Sequence, residues 1–157
     1  MALKEPPPYV PGHNLLAGRS VLITAAAGAG IGFAAATRAA EEGARAVMIS
    51  DVHAGRLEKA VQALRDSTGL AAVHGRLADV TAQSDVQALV AEAEDKLGGV
   101  DVLINNAGLG GTRLLVEMSD EEWSRVLDVT LTGTMRMTRA MLQKMQPRGA
   151  GVIVNNA

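Results

Sequence analysis

Apolar positions along the chain follow two rhythms. Unbroken runs, Val21-Leu-Ile23, Ala46-Val-Met-Ile49, Val102-Leu-Ile104 and Val152-Ile-Val154, read as strands covered on both faces. Between them apolar residues recur every three or four positions, as in Leu57, Val61 and Leu64, and again in Val86, Leu89, Val90 and Ala93. The pattern predicts strands over residues 20–24, 45–49, 71–75, 100–104 and 151–154, and helices over 31–42, 56–67, 84–97 and 119–145. Gly43 and Gly69 stand where the first two helices should stop, and Ser84 is the expected cap of the third. Ser119-Asp-Glu-Glu122 has the form of a capping box, and Gln146-Pro-Arg-Gly149 is expected to end the long helix it opens. Strand and helix alternate with short links. This predicts a doubly wound α/β fold of the Rossmann type, a parallel sheet of five strands with helices on both faces.

The chemistry gathers where predicted strands end. Thr24-Ala-Ala-Ala-Gly28-Ala-Gly30-Ile31-Gly32 links the first strand to the first helix. A glycine turn there aims backbone N–H groups and a positive helix end at one spot, which suits a phosphate. No Gly-Lys-Ser or Gly-Lys-Thr closes the turn, which disfavours a mononucleotide loop. Asp51 follows about 20 residues later, where an acid in a dinucleotide fold accepts from both ribose hydroxyls and repels a 2′-phosphate. Taken alone, Asp51 reads equally well as a loop acid or a helix cap. Arg56 is the nearest base that could admit NADP. Asp79-Val80 can read an adenine edge, although Asp79 alone is best read as a turn acid before Thr81. Asn105-Asn-Ala-Gly108 ends the fourth strand, where small residues let a cofactor lie against backbone.

Composition narrows the class. Net charge is −2 with both signs spread along the chain, so nucleic acid is not an expected partner. The absence of cysteine excludes disulfides and thiolate zinc sites and suits a reducing cytoplasm. No segment is apolar for long enough to predict a membrane span. His13, His53 and His74 lack metal-site spacing and are expected at the surface. Met135, Met137, Met141 and Met145 form a packing face, within the subunit or against a second one. Residues 1–18 form a Pro-rich arm, expected to be a flexible leader or, alternatively, a strap on a partner subunit; the dinucleotide-binding domain is placed at 19–157.

In order and spacing, Gly30-Ile-Gly32, Asp51, Asp79-Val80, Asp101-Val-Leu-Ile, Asn105-Asn-Ala-Gly108 and Gly151-Val-Ile-Val-Asn155 resemble the short-chain dehydrogenase/reductase family of the classical type. The resemblance implies NAD as cofactor, with NADP less favoured. Ala26, Gly28, Gly30, Ile31 and Gly32 would form the pyrophosphate turn, Asp51 would hold the adenosine ribose, and Asp79 and Val80 would meet adenine. Asn106, Ala107 and Gly108 would flank the cofactor. Ala26 stands where the family's turn opens with glycine, and the turn is one residue longer. Thr130 stands at the family's Asn position, where a relay water is held. The family's catalytic Ser and Tyr-x-x-x-Lys have no counterpart in the 157 residues, and Tyr9 is the only tyrosine. The expectation is therefore the cofactor-binding part of an oxidoreductase, truncated before those residues and inactive by itself, with its fifth strand left as an edge. The parent would interconvert a secondary alcohol and a ketone by hydride transfer, 3-oxoacyl reductase-like ahead of other substrates, as a homo-oligomer. The alternative is a non-catalytic NAD-binding module or subunit, and a nucleotide-sugar epimerase ranks last.

Overall fold

The computed structural model describes residues 7–110 and 113–156. Five parallel strands, β1 (Ser20–Ile23), β2 (Ala46–Asp51), β3 (Val73–Leu77), β4 (Val102–Asn105) and β5 (Val152–Asn155), form one sheet in the order β3-β2-β1-β4-β5. The helices are α1 (Ile31–Glu41), α2 (Ala54–Thr68), α3 (Gln83–Leu97), α4 (Asp120–Leu127) and α5 (Gly133–Arg148). Val21 pairs with Val47 on one side and with Val102 on the other, so β1 lies mid-sheet.

The two-residue period of a strand divides the core. Val21, Ile23, Val47 and Ile49 pack with Ala36 and Ala39 of α1 and with Leu57, Ala60 and Leu64 of α2. Leu22, Met48 and Leu103 face the opposite way, onto Val86, Leu89, Val90 and Leu97 of α3 and Met137, Met141 and Met145 of α5. The sheet is thus covered on both sides, as expected for parallel strands. The methionine stripe resolves accordingly: three of its members are core, while Met135 is half-exposed. No helix of the described residues is long and apolar enough to cross a membrane.

Several expected boundaries move. β2 runs on to Asp51 because Ser50 and Asp51 pair with Arg76 and Leu77 of β3, which itself lies two residues later than predicted. α3 starts at Gln83 behind Ala82, and Ser84 is not its cap; instead the Asp85 carboxylate in its first turn accepts from the Asp79 N–H at 3.0 Å. The capping box is formed, with Glu122 N–H on Ser119 Oγ at 3.2 Å and Ser119 N–H on Glu122 Oε2 at 3.0 Å. The helix it opens is not uniform, since a π turn, Asp128–Thr132, separates α4 from α5. Pro147 does not stop α5 but sits in its last turn, and Gly149 ends it. The ring sacrifices only a bond to the carbonyl of exposed Gln143. His74, expected at the surface, is half-buried on β3; burial, with Lys96 and Arg65 nearby, holds its pKa below the usual histidine range.

Residues 1–6 of the arm and the last residue of the predicted domain, 157, lie outside the described residues. From Pro7 onward the arm runs along the end of α1. The Glu42 carboxylate accepts the N–H groups of Leu15 at 3.1 Å and His13 at 2.7 Å, and Arg38 pairs with the same group. These bonds hold the Glu42 pKa below the ordinary carboxylate range, the Leu15 amide contributing most. Tyr9 donates to Glu41, and the Arg38 guanidinium also reaches the Val10 carbonyl. At the other end of the order, β5 pairs only with β4 among the described residues, and Val152 and Val154 are half-exposed.

Candidate functional site

The C-terminal ends of β1, β2 and β4 and the segment after β3 surround one cavity of about 510 Å³. In an open parallel sheet this is the end at which ligands bind, beside the strand where the winding reverses. β1 is that strand, with β2 and β3 to one side and β4 and β5 to the other.

The turn after β1 is fixed by the neighbouring strands. Thr24, fully buried, accepts the N–H groups of Asn106 and Ala107 on its Oγ1 at 2.9 and 3.0 Å. Asn106 returns the bond, its Nδ2 donating to the carbonyls of Thr24 and Ala25 at 3.1 and 3.0 Å. Ala25 has φ +52°, the left-handed region that costs an alanine roughly 1–2 kcal/mol. The conformational demand met by a glycine therefore falls on Ala25, and Ala25 lines the cavity. Ala26 lies beneath the floor, fully buried, with its N–H on the Ser50 carbonyl at 3.0 Å.

The three glycines of the turn differ in what surrounds them. A Cβ on Gly32 would stand 2.5 Å from Asn106 Nδ2 and 2.8 Å from the Ala25 carbonyl oxygen, so the chain itself requires glycine there. A Cβ on Gly28 or Gly30 would meet nothing within 4 Å. Both line the cavity, and the space above them is the room a ligand's phosphates need. α1 opens behind Gly30 with no side-chain cap and no acid in its first turn, leaving its first N–H groups available to an anion. Ile31, two-thirds exposed, presents its side chain to the same space.

Asp51 is buried at the end of β2. Its Oδ2 accepts the Ala27 N–H at 3.2 Å, which ties the acid to the glycine turn. Its Oδ1 accepts the His53 N–H at 3.1 Å and faces His53 Nδ1 at 3.1 Å and Arg56 Nη2 at 3.5 Å. Asp79 lines the cavity while its Oδ1 accepts the N–H and hydroxyl of Thr81 at 2.8 and 2.7 Å, so it is a turn acid as well. Val80 is buried beneath it.

The two asparagines divide their work. Asn105 is buried and donates to Thr138 Oγ1 at 3.0 Å and Asn155 Oδ1 at 2.8 Å, joining β4 to α5 and β5. Asn106, Ala107 and Gly108 line the cavity, and Asn106 Oδ1 accepts from Asn156 Nδ2 at 2.9 Å. Thr130 sits in the π turn, where its Oγ1 accepts the Leu109 N–H at 3.2 Å and so holds the loop leaving β4.

The structure thus brings Gly28, Gly30, Ile31, Gly32, Asp51, Asp79, Val80, Asn106, Ala107 and Gly108 around one space, with Ala26 below it and Thr130 behind it. Ala25, His53, Arg125, Asp128 and Val129 also line the cavity and were not anticipated. His53 and Arg56 had a readable signal, standing two and five residues past Asp51 at the start of a helix. Among the described residues no group of three or more His, Cys, Asp or Glu is placed to hold a metal ion.

Comparison with known proteins gives a single family. The family model described as short chain dehydrogenase matches residues 19–157. A Mycobacterium tuberculosis protein, (5R,7aS)-5-hydroxy-7a-methyl-1-oxo-2,3,5,6,7,7a-hexahydro-1H-indene-carboxyl-CoA reductase, is 48% identical over all of this chain and 60% of its own length. A Vibrio cholerae 3-oxoacyl-acyl-carrier-protein reductase is 35% identical over 89% of this chain and 54% of its own. Among solved structures, a short chain dehydrogenase from Mycobacterium smegmatis superposes with TM-score 0.90 at 52% identity, covering 98% of this chain and 63% of that one. The actinorhodin polyketide ketoreductase, solved with NADPH, superposes with TM-score 0.81 at 36% identity, covering 87% and 51%. The chain spans about half to three-fifths of the length of the relatives it matches.

Proposed function

The chain belongs to the short-chain dehydrogenase family, and on that basis we propose that it binds NAD in the cavity above Gly28 and Gly30 and forms the cofactor-binding part of an NAD(P)-dependent oxidoreductase. The observation that carries this reading is the pair of open glycines facing uncapped α1, set opposite Asp51 and beside Asn106-Ala-Gly108. The dinucleotide would exchange the hydride, its reduced form giving one to the carbon of a ketone and its oxidised form taking one from a secondary alcohol. This chain's own residues do the holding. The α1 N–H groups would hold the pyrophosphate, Asp51 would accept from the ribose hydroxyls, Asp79 and Val80 would border the adenine, and Ala107 and Gly108 would leave room for the nicotinamide half beside the backbone. No Tyr-x-x-x-Lys pair occurs among the 157 residues, so none of them is assigned proton transfer.

For substrate we propose an acyl thioester bearing the ketone or alcohol, because the relatives from Mycobacterium tuberculosis and Vibrio cholerae are reductases of a CoA ester and of an acyl-carrier-protein ester. The proposed setting is the cytoplasm, which the absence of cysteine suits, and the proposed assembly is a homo-oligomer. Calorimetric titration with NAD⁺ and NADP⁺ tests the cofactor. Replacement of Asp51 by Ala is expected to weaken NAD⁺ by at least tenfold, since hydrogen bonds to a charged acceptor are worth about 1.5–3 kcal/mol, and to weaken NADP⁺ less. An unchanged ratio of the two affinities would remove Asp51 from the ribose.

A further inference from the structure

We propose that the N-terminal arm is a positioning element for the dinucleotide site: the segment from Tyr9 to Leu16, held by Arg38, Glu41 and Glu42, fixes the far end of α1 and so keeps the N–H groups at its near end in place for a pyrophosphate. The inference rests on the reading of the cavity as a dinucleotide site and gives a role in it to residues at the other end of the helix.

Apolar packing grips α1 weakly. Its buried residues are Gly32, Ala36 and Ala39, whereas α2 buries Leu57 and Leu64 and α3 buries Val86, Leu89, Val90 and Leu97. A buried methyl group contributes far less than a buried leucine or valine side chain. Phe33 adds a ring that is only partly buried. At its near end α1 has no side-chain cap, and the glycine turn joins it to β1.

The far end is held by the arm. Glu42, buried, accepts the His13 and Leu15 N–H groups on one carboxylate oxygen at 2.7 and 3.1 Å, pairs with Arg38 through the other, and takes the Leu16 N–H on its carbonyl at 2.9 Å. Arg38 reaches on to the Val10 carbonyl at 2.6 Å and lies over the Tyr9 ring, 5.9 Å from its centroid, while Tyr9 donates to Glu41. Gly12 presses backbone against backbone: a Cβ there would stand 2.1 Å from the Glu41 carbonyl oxygen and 2.7 Å from its carbon. The arm leads into β1 at Ser20, and β1 leads through the glycine turn into α1. Arm, strand, turn and helix therefore close a ring, in which the arm ties the end of α1 to the start of β1. A helix of 11 residues is a rod about 16 Å long, so freedom at the Glu42 end tilts the rod and moves the N–H groups at the Gly30 end. Binding of a pyrophosphate and seating of the arm are thus expected to favour each other by the same factor.

The test compares the full chain with Gly12→Ala, which crowds the arm off Glu41, and with a variant lacking residues 2–15. Calorimetry with NAD⁺ and nuclear magnetic resonance titration with adenosine are made at a temperature where each protein is folded by circular dichroism. Both variants should bind NAD⁺ at least about fivefold more weakly, the lower end of ordinary coupling between sites, and adenosine within about twofold, since only NAD⁺ carries a pyrophosphate. In the unaltered protein, saturating NAD⁺ should slow hydrogen exchange of the His13 and Leu15 amides by about the same fivefold. Should the shortened chain not fold, Gly12→Ala and the exchange measurement carry the test. Unchanged NAD⁺ affinity in the folded variants, equal weakening of NAD⁺ and adenosine, or exchange indifferent to NAD⁺ would overturn the positioning role and leave the dinucleotide reading in place. Failure of NAD⁺ to bind the unaltered protein would overturn the dinucleotide reading and this inference with it.

Discussion

The two limbs of the β1–α1 turn use the same residue for opposite ends. On the limb that faces the sheet, Gly32 is pressed between Asn106 and the Ala25 carbonyl, and its missing side chain is filled by the protein itself. On the limb that faces the cavity, Gly28 and Gly30 touch nothing that a methyl group would displace. The first glycine serves packing, and the other two keep a volume empty. A glycine-rich motif is therefore not one feature but two, separable by asking what a Cβ would meet.

The largest expected effect comes from breaking the packed limb. Gly32→Ala overfills a site bounded by backbone, which costs about 2–3 kcal/mol, or roughly 5–10 °C in melting temperature for a chain of this size. Thermal unfolding followed by circular dichroism measures it; a melting point equal to that of the parent would mean that the turn has room the structure does not show. Next comes the open limb. Gly30→Ser places a good capping residue at the start of α1, so stability should stay level or rise by about 0.5 kcal/mol. Its hydroxyl takes the N–H groups that the pyrophosphate needs, and NAD⁺ affinity should fall by about tenfold or more. Lost stability with retained binding would reverse the assignment of the two limbs. The smallest effect is at their hinge. Ala25→Gly relieves a left-handed strain of about 1–2 kcal/mol but adds unfolded-state freedom worth about 0.4–1 kcal/mol. A net gain of about 0.5 kcal/mol, 1–2 °C in melting temperature, is expected, with NAD⁺ binding unchanged.

Local pattern made much of this legible. The runs around Leu22, Met48 and Leu103 identify strands because a strand covered on both faces has no polar alternation to obscure it. The glycine turn and Asn105-Asn-Ala-Gly108 were readable because each must end a strand to do its work. Ser50 and Asp51 were not readable as strand, since polar side chains hide backbone that pairs with Arg76 and Leu77. The arm was expected to be loose because its prolines describe only the chain. What holds it is Glu42, a distant residue whose carboxylate collects the His13 and Leu15 amides. The clasp of His53 and Arg56 on Asp51 is likewise a property of three residues folded together, and only their spacing was visible beforehand.

The π turn at Asp128–Thr132 has a consequence for how this chain tolerates change. A π turn holds one residue more than the α-helix around it, which offsets the helical phase of α5 from that of α4 by about 100°. The offset is what lets Met137, Met141 and Met145 seat in the core while Trp123 and Leu127, on the same continuous rod, stay partly in water. Loss of a single residue from that segment would rewind the rod into one phase, and one half would be turned off its seat by about a quarter of a revolution. The segment therefore behaves as a counted length, intolerant of insertion or deletion although it lies within a helix whose individual side chains could be exchanged more freely.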